Sequence, residues 1–318
     1  MKIYENPDFS RAERIAALNY DYDLQPKEDI RDCNLCGADQ WTIITHRDRY
    51  GFSAQTTACG RCGLVMLNPR MTAAAYQDFY NGVYRPLVSA FHGRRIDAKT
   101  IQLEQQDYAR EIAAFIAPYL ANKRDQSFLD VGGSTGIVAA HFTREFDLNA
   151  TVLDPAADEI AEAESLGIET ITAFAEDWEP GDRKFALIGM FQTVDHLLDV
   201  MATLKKLRSF LSPNGLFVID IVDFRAAYLK NWSTEAATKI DHPYYLTEET
   251  FEVYLACAGF KAIRKAYSAD HHLVAYICKP FKNNPEYLPS AEYIKHFFRE
   301  IRWVQNAPHP GKRIKGDG

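Results

Sequence analysis

Residues Phe128-Leu129-Asp130-Val131 form a short apolar run, and Gly132-Gly133-Ser134-Thr135-Gly136 follow it directly. This predicts a strand, a glycine-rich turn and the start of a helix. A second apolar run, Thr151-Val152-Leu153, ends on Asp154. Strand, turn, helix and strand in that order commit the chain to a parallel sheet covered by helices. Glycines let backbone approach a ligand where a Cβ would clash. A carboxylate ending the second strand of such a unit can accept from ribose hydroxyls. A nucleoside-bearing cofactor is therefore expected at Asp130, Gly132, Gly133, Gly136 and Asp154. A tight turn without a ligand would leave the same pattern. A dinucleotide fingerprint, G-x-G-x-x-G, fails because Ser134 and Ile137 occupy its second and third glycine positions.

The elements around this unit extend the sheet. Residues 99–120 have apolar positions at helical spacing (Ile101, Tyr108, Ile112, Phe115, Ile116 and Tyr119), and Asn122-Lys123-Arg124-Asp125 breaks the pattern. A helix over 157–166 closes at Gly167. Strands are expected at Ile168 to Phe174, Phe185 to Met190 and Leu216 to Val222, the last preceded by a turn at Ser212-Pro213-Asn214-Gly215. A helix at Glu248 to Ala258 ends at Gly259. Phe260 to Tyr267 and Leu273 to Cys278 follow with a connection too short for a helical crossover, so these two strands should be antiparallel.

Cys33-Asn34-Leu35-Cys36-Gly37 and Cys59-Gly60-Arg61-Cys62-Gly63 are paired C-x-x-C-G knuckles separated by residues 37–58. Four thiolates at this spacing suit one tetrahedral zinc and leave no open coordination position, so the ion is expected to be structural. Trp41 to Ile44 and Phe52 to Thr57 read as arms of a hairpin between the knuckles, which is zinc-ribbon architecture. Cys257 and Cys278 lack sequence partners and are expected as small core residues.

Composition excludes several classes. With 47% hydrophobic and 25% charged residues the chain reads as globular rather than disordered. The net charge of -7 argues against a nucleic-acid footprint, and residues 1–80 hold 9 Lys+Arg against 11 Asp+Glu. The Met1–Pro7 stretch has no apolar signal region, and no apolar run approaches the roughly 20 residues that span a bilayer. A cytoplasmic location is expected, with reduced cysteines.

The acid two residues before Gly132 and the glycine four residues after it resemble motif I, D-x-G-x-x-x-G, of the class I S-adenosylmethionine (SAM) methyltransferases. Further segments resemble that family in order. Ala175-Glu176-Asp177-Trp178 falls where the family places an acid at the adenine. Phe185-Ala186-Leu187-Ile188 resembles its F-D-L-I strand, with Ala186 in place of the acid. Gln192-Thr193-Val194-Asp195-His196-Leu197 resembles V-L-E-H-L, with Asp195 for Glu. Leu211 to Leu216 resembles L-x-P-G-G-x. Asn68-Pro69 after the second knuckle, then Phe79-Tyr80 and Tyr84, resemble the bacterial members that carry an N-terminal zinc ribbon. The resemblance implies a Rossmann-like α/β sheet, mostly parallel with the last strand antiparallel, beside a small N-terminal zinc ribbon. It implies SAM and zinc as cofactors, with Tyr84, Glu176, Asp177 and Gln192 joining the motif I residues at SAM, and Cys33, Cys36, Cys59 and Cys62 at zinc. Tyr84 becomes a lid residue; Tyr80 is expected to pack between modules. The domains are expected at 1–75 (zinc-binding), 76–125 (connecting helices and lid), 126–280 (SAM-binding) and 281–318 (an extension with no counterpart in the family).

Methyl transfer to an alcohol or activated carbon needs a group to take the acceptor's proton. His196 follows the fourth strand at the carboxyl edge of the sheet, and in similar zinc-containing sugar C-methyltransferases a histidine at this position is a candidate base. Asp195 would support it electrostatically. His242, in Asp241-His242-Pro243-Tyr244-Tyr245, is a second candidate, with Tyr244 or Tyr245 as acceptor contacts; a loop held by Pro243 with its aromatics packed inward would leave the same pattern. The acceptor is expected to be a small polar metabolite, a sugar or nucleotide sugar. The alternatives are an RNA methyltransferase whose ribbon holds the nucleic acid and a non-enzymatic zinc-ribbon scaffold.

Overall fold

In a computed structural model the structure describes residues 8–120, 125–282 and 288–307. The expected break at 122–124 and the Met1–Pro7 stretch lie outside the described residues.

The chain begins with a short helix α1 (Arg11–Ala16) and strand β1 (Lys27–Glu28). β2 (Trp41–Thr45), β3 (Thr56–Cys59) and β4 (Val65–Leu67) then form the ribbon, and β5 (Arg70–Met71) returns to pair with β1. Each knuckle turns on its trailing glycine: Gly37 and Gly63 have φ of 69° and 77°. Their N–H groups donate back to the Cys33 and Cys59 carbonyls at 2.8 and 2.9 Å.

Helices α2 (Ala73–Gly82), α3 (Tyr84–His92) and α4 (Ala98–Leu120) lead into the sheet. Its strands and helices alternate: β6 (Ser127–Val131), α5 (Ile137–Phe146), β7 (Asn149–Asp154), α6 (Ala157–Ser165), β8 (Glu169–Thr172), β9 (Phe185–Met190), α7 (Val200–Phe210), β10 (Leu211–Val222) and α8 (Phe224–Asn231). After β11 (Tyr244–Tyr245) and α9 (Glu248–Cys257), β12 (Phe260–Tyr267), β13 (Leu273–Pro280) and α10 (Ala291–Asn306) complete the order.

The seven-stranded sheet runs β12-β13-β10-β9-β6-β7-β8. All its pairings are parallel except those of β13, which is antiparallel to both β10 and β12. Helices cover both faces, so the central strands are near-continuous apolar runs; every residue of β9 is buried. The edge strand β12 is mostly exposed and carries Lys261, Arg264 and Lys265, charges that blunt edge-to-edge pairing. The expected turn at 212–215 is instead part of β10. The register against β9 shifts between Leu211 and Leu216, so the turn residues bulge within one long strand.

The ribbon sheet, ordered β11-β4-β3-β2, takes its fourth strand from residues beyond β10. Asn34 of the first knuckle donates to Asp199 at 2.8 Å and accepts from Met201 N–H and the Tyr254 hydroxyl. Three of the four knuckle cysteines are buried in the same cluster as β6, β9 and β10 side chains. The ribbon and the large sheet therefore share one core.

The segment without a family counterpart holds α10. Ile294, Phe297, Ile301 and Val304 are buried at helical spacing against ribbon and α8 residues. Full burial of each such side chain is worth about 1.5–3 kcal/mol. Glu300 accepts from Arg225 Nε and Nη2 at 2.8 and 2.7 Å, and the Tyr293 hydroxyl meets Thr247 at 2.8 Å.

Candidate active site

A cleft of about 510 Å³ opens at the carboxyl ends of β6, β7 and β9, where strand order reverses around β6. Its floor is the turn after β6. Gly132 has φ of 71°, and a Cβ there would lie 2.3 Å from Thr193 side-chain atoms, so only glycine fits. Gly136, φ 75°, starts α5 against Ala163. Asp130 beneath the turn is 1% exposed; the Ala139 N–H lies near its carboxylate, but neither oxygen has a well-formed hydrogen bond among the described residues. Burial, then the nearby Asp154 charge, push its pKa up to about 7. A buried acceptor of this kind facing a cleft calls for a donor. Asp154 caps β7, with Oδ2 accepting from Ser134 N–H at 3.0 Å and Oδ1 from Ala156 N–H at 2.9 Å. Each oxygen keeps a lone pair for a ligand hydroxyl. Burial and the Glu159 charge push the Asp154 pKa up to about 6.

Of the expected cofactor residues, Tyr84, Asp130, Gly132, Gly133, Asp154, Glu176 and Gln192 line this cleft. Glu176 reaches it with one oxygen already accepting from Leu198 N–H at 2.9 Å. Gly136 shapes the helix start without lining the cleft, and Asp177 is exposed outside it. Tyr244 and Tyr245 are also outside: they are β11, buried at 1% and 5% exposure, with hydroxyls on the Leu198 and Lys239 carbonyls.

The other wall is assembled from three distant segments. His196, half-buried, lines the cleft. Its Nδ1 lies 2.7 Å from the Tyr80 hydroxyl, which also lies 3.0 Å from the Asp241 carbonyl. A carbonyl only accepts, so the Tyr80 proton goes to Asp241 and the Tyr80 oxygen accepts from His196 Nδ1–H. This assignment leaves the His196 Nε2 lone pair free. Tyr80 thus does more than pack between modules. Behind His196 stands the His242 ring, 4.4 Å away centre to centre, with Nδ1 2.6 Å from Asp195 Oδ2. Asp195 and His242 do not line the cleft. Asp241 is fully buried, 3.4 Å from Lys239 Nζ and 3.5 Å from His242 Nε2. Burial, then the His242 charge, push the His196 pKa down to about 4, so the ring is neutral at pH 7. The near-neutral titration expected of an ordinary histidine does not hold here.

The knuckles bring Cys33, Cys36, Cys59 and Cys62 together with all four sulfurs within 4.8 Å of one another. Cys33–Cys62 and Cys36–Cys59 are 3.5 and 3.6 Å apart. A tetrahedron of thiolates about 2.3 Å from zinc has edges of about 3.8 Å, so the donor set fits the ion in number, chemistry and size. Cys257 and Cys278 stand apart and pack into the core.

The methyltransferase-domain family model matches residues 102–265, just over half of the chain. The chain belongs to this methyltransferase family. The sheet order and the cleft described above are those of the class I SAM-dependent methyltransferase fold. The methyltransferase is 29% identical over 126 residues to a ubiquinone biosynthesis O-methyltransferase of Bradyrhizobium sp. (strain ORS 278), covering 37% of this chain and 46% of that one. It is 28% identical over 126 residues to the protein of the same name from Rhodopseudomonas palustris (strain TIE-1), with the same coverage. The chain spans about half the length of the curated relatives it matches. The magnesium protoporphyrin IX methyltransferase (ChlM) of Synechocystis PCC 6803 with bound SAH shares the fold at 12% identity and a TM-score of 0.50, over 65% of this chain and 99% of that one. No helix of the described residues is long and apolar enough to cross a membrane.

Sequence reasoning missed Arg85, Glu159 and Ser134 as a connected group at the cleft, and Tyr80 as the partner of His196. Tyr80 carried a signal, the Phe79-Tyr80 to Tyr84 spacing. Glu159 carried none, since an acid in the first turn of a helix is ordinary.

Proposed function

We propose that this methyltransferase modifies an oxygen or carbon of a small polar acceptor, a sugar or nucleotide sugar, with His196 as general base. The observation that carries the reading is a neutral histidine on the cleft wall, its Nδ1 committed to Tyr80 and its Nε2 free. An amine acceptor would need alignment more than a base. SAM, once bound, supplies an electrophilic sulfonium methyl for in-line displacement. Asp130 offers an acceptor to the methionine ammonium, and Asp154 accepts from the ribose. His196 takes the acceptor proton on Nε2. The Asp195 carboxylate, and that of Asp241 beyond it, favour the imidazolium that results, while the His242 ring beside it opposes it.

We assign a structural zinc to Cys33, Cys36, Cys59 and Cys62, residues 1–75 to the zinc-binding unit, 76–125 to the lid and linking helix, 126–280 to SAM binding, and 281–318 to a C-terminal extension, of which α10 packs on the ribbon. We place the enzyme in the cytoplasm. O-methylation of an aromatic, phenol-type acceptor in place of a sugar is the second reading, since the relatives are named as ubiquinone biosynthesis O-methyltransferases and a ring hydroxyl also needs a base. The net charge of -7 weighs against RNA. Mass spectrometry after incubation with SAM and either nucleotide sugars or catechols tests the acceptor. A one-methyl gain on a sugar is expected; a gain on the phenol alone selects the second reading.

A further inference from the structure

The ribose edge of the cleft holds a second carboxylate besides Asp154. Glu159 stands in the first turn of α6, 9% exposed, and lines the cleft. Its Oε1 accepts from Arg85 Nε at 2.7 Å, with Nη2 on the same oxygen. Its Oε2 accepts from the Ser134 hydroxyl. The backbone N–H of the same Ser134 donates to Asp154 Oδ2 at 3.0 Å. One turn residue therefore ties the two carboxylates side by side at the cleft, and Arg85 reaches across from α3 to balance them. The raised Asp154 pKa records the same proximity.

A buried carboxylate needs a purpose or a partner. Arg85 satisfies the charge of Glu159 and fills both lone pairs of Oε1, whereas Oε2 holds only the Ser134 hydroxyl and retains one lone pair at the cleft. A ribose presents two hydroxyls, and Asp154 alone is expected to receive them from the sequence pattern. We propose that Glu159, neutralised by Arg85 and aligned by Ser134, is a second ribose-binding carboxylate of the SAM site. This deepens the SAM reading and depends on it. Arg85 and Tyr84 are adjacent on α3, so the contact also ties the lid helix to the cofactor end of the cleft.

The test is calorimetry on the full chain with S-adenosylhomocysteine and its 2′,3′-dideoxy analogue, neither of which turns over. Glu159→Gln should weaken S-adenosylhomocysteine about tenfold, as a lost hydrogen bond to a charged group would, while weakening the dideoxy analogue by less than about threefold. That inequality is the signature of a direct contact, because a distorted site would lose both ligands alike. Equal losses, or no loss of S-adenosylhomocysteine, overturn the proposal. Glu159→Asp, which keeps the charge but withdraws it by one methylene, carries the same test if the Gln variant fails to fold. Failure of the unsubstituted protein to bind S-adenosylhomocysteine would overturn the SAM reading itself rather than the share assigned to Glu159.

Discussion

The two walls of the cleft are built by opposite means. The cofactor wall is mostly local in sequence: Ser134 meets Asp154 and Glu159 across 20 and 25 residues, within β6–α5–β7 and the first turn of α6, and Arg85 joins from α3. The acceptor wall is assembled at long range: Tyr80 meets His196 across 116 residues and Asp241 across 161. The first wall needs the continuous β6–α5–β7–α6 stretch and one outside residue, Arg85 of α3. The second needs the ribbon, α2 and the loop before β11 to dock together. Disturbing the docking should therefore stop catalysis more than it weakens cofactor binding.

The largest expected effect is removal of the metal. Metal analysis should find about one zinc per chain. Chelation should forfeit a site whose binding free energy is worth about 10–16 kcal/mol in comparable structural zinc sites, melting the ribbon and abolishing turnover. Turnover that survives complete zinc removal would break the comparison. Next comes Phe297→Ala in α10. The side chain is 1% exposed and packs among ribbon and lid residues, so unfolding free energy should drop by about 3–5 kcal/mol in a denaturant titration. Affinity of the folded variant for S-adenosylhomocysteine should stay within error.

On the cofactor wall, Asp154→Ala should weaken S-adenosylhomocysteine by about 1.5–3 kcal/mol with an unchanged melting profile of the ribbon. Calorimetry showing no loss would separate Asp154 from the ribose.

Legibility followed the same divide. The motif I turn, Asp154 and the paired knuckles were readable because each is a short segment whose spacing alone encodes its geometry. The antiparallel β13 was readable from one connection length. The Tyr80–His196 bond, the His242–Asp195 pair and Glu159 were not, since no periodicity links residues that meet only in the fold. Tyr244 and Tyr245 were left between acceptor contact and aromatic packing for the same reason. Their aromatic character fits an acceptor pocket, and only the pairing Tyr244 with Met66 and Tyr245 with Val65 shows that they finish the ribbon sheet. The α10 face was readable in principle, as Ile294, Phe297, Ile301 and Val304 keep helical spacing.

The smallest expected effect concerns pH. A protonated His196 cannot accept a proton, so the acid limb of kcat at saturating SAM, where ligand contacts hold Asp130 and Asp154 ionised, should centre near 4 rather than near the ordinary value of about 6.5. The stability consequence has the same sign. The folded-state pKa lies below the unfolded one, so this contribution is present in full above about pH 6.5 and is lost as pH falls through the folded value near 4. An acid limb at 6.5 would mean a more hydrated ring than the packing of His242 and Tyr80 allows.

The central claim is that cofactor binding and proton removal reside on separate walls. Its most direct measurement is paired turnover and S-adenosylhomocysteine calorimetry on His196→Ala. Turnover should fall by roughly 10²–10⁴, the usual share of a general base, while affinity for S-adenosylhomocysteine is retained. Near-full turnover on the true acceptor, or a loss of affinity matching the loss of rate, would contradict it.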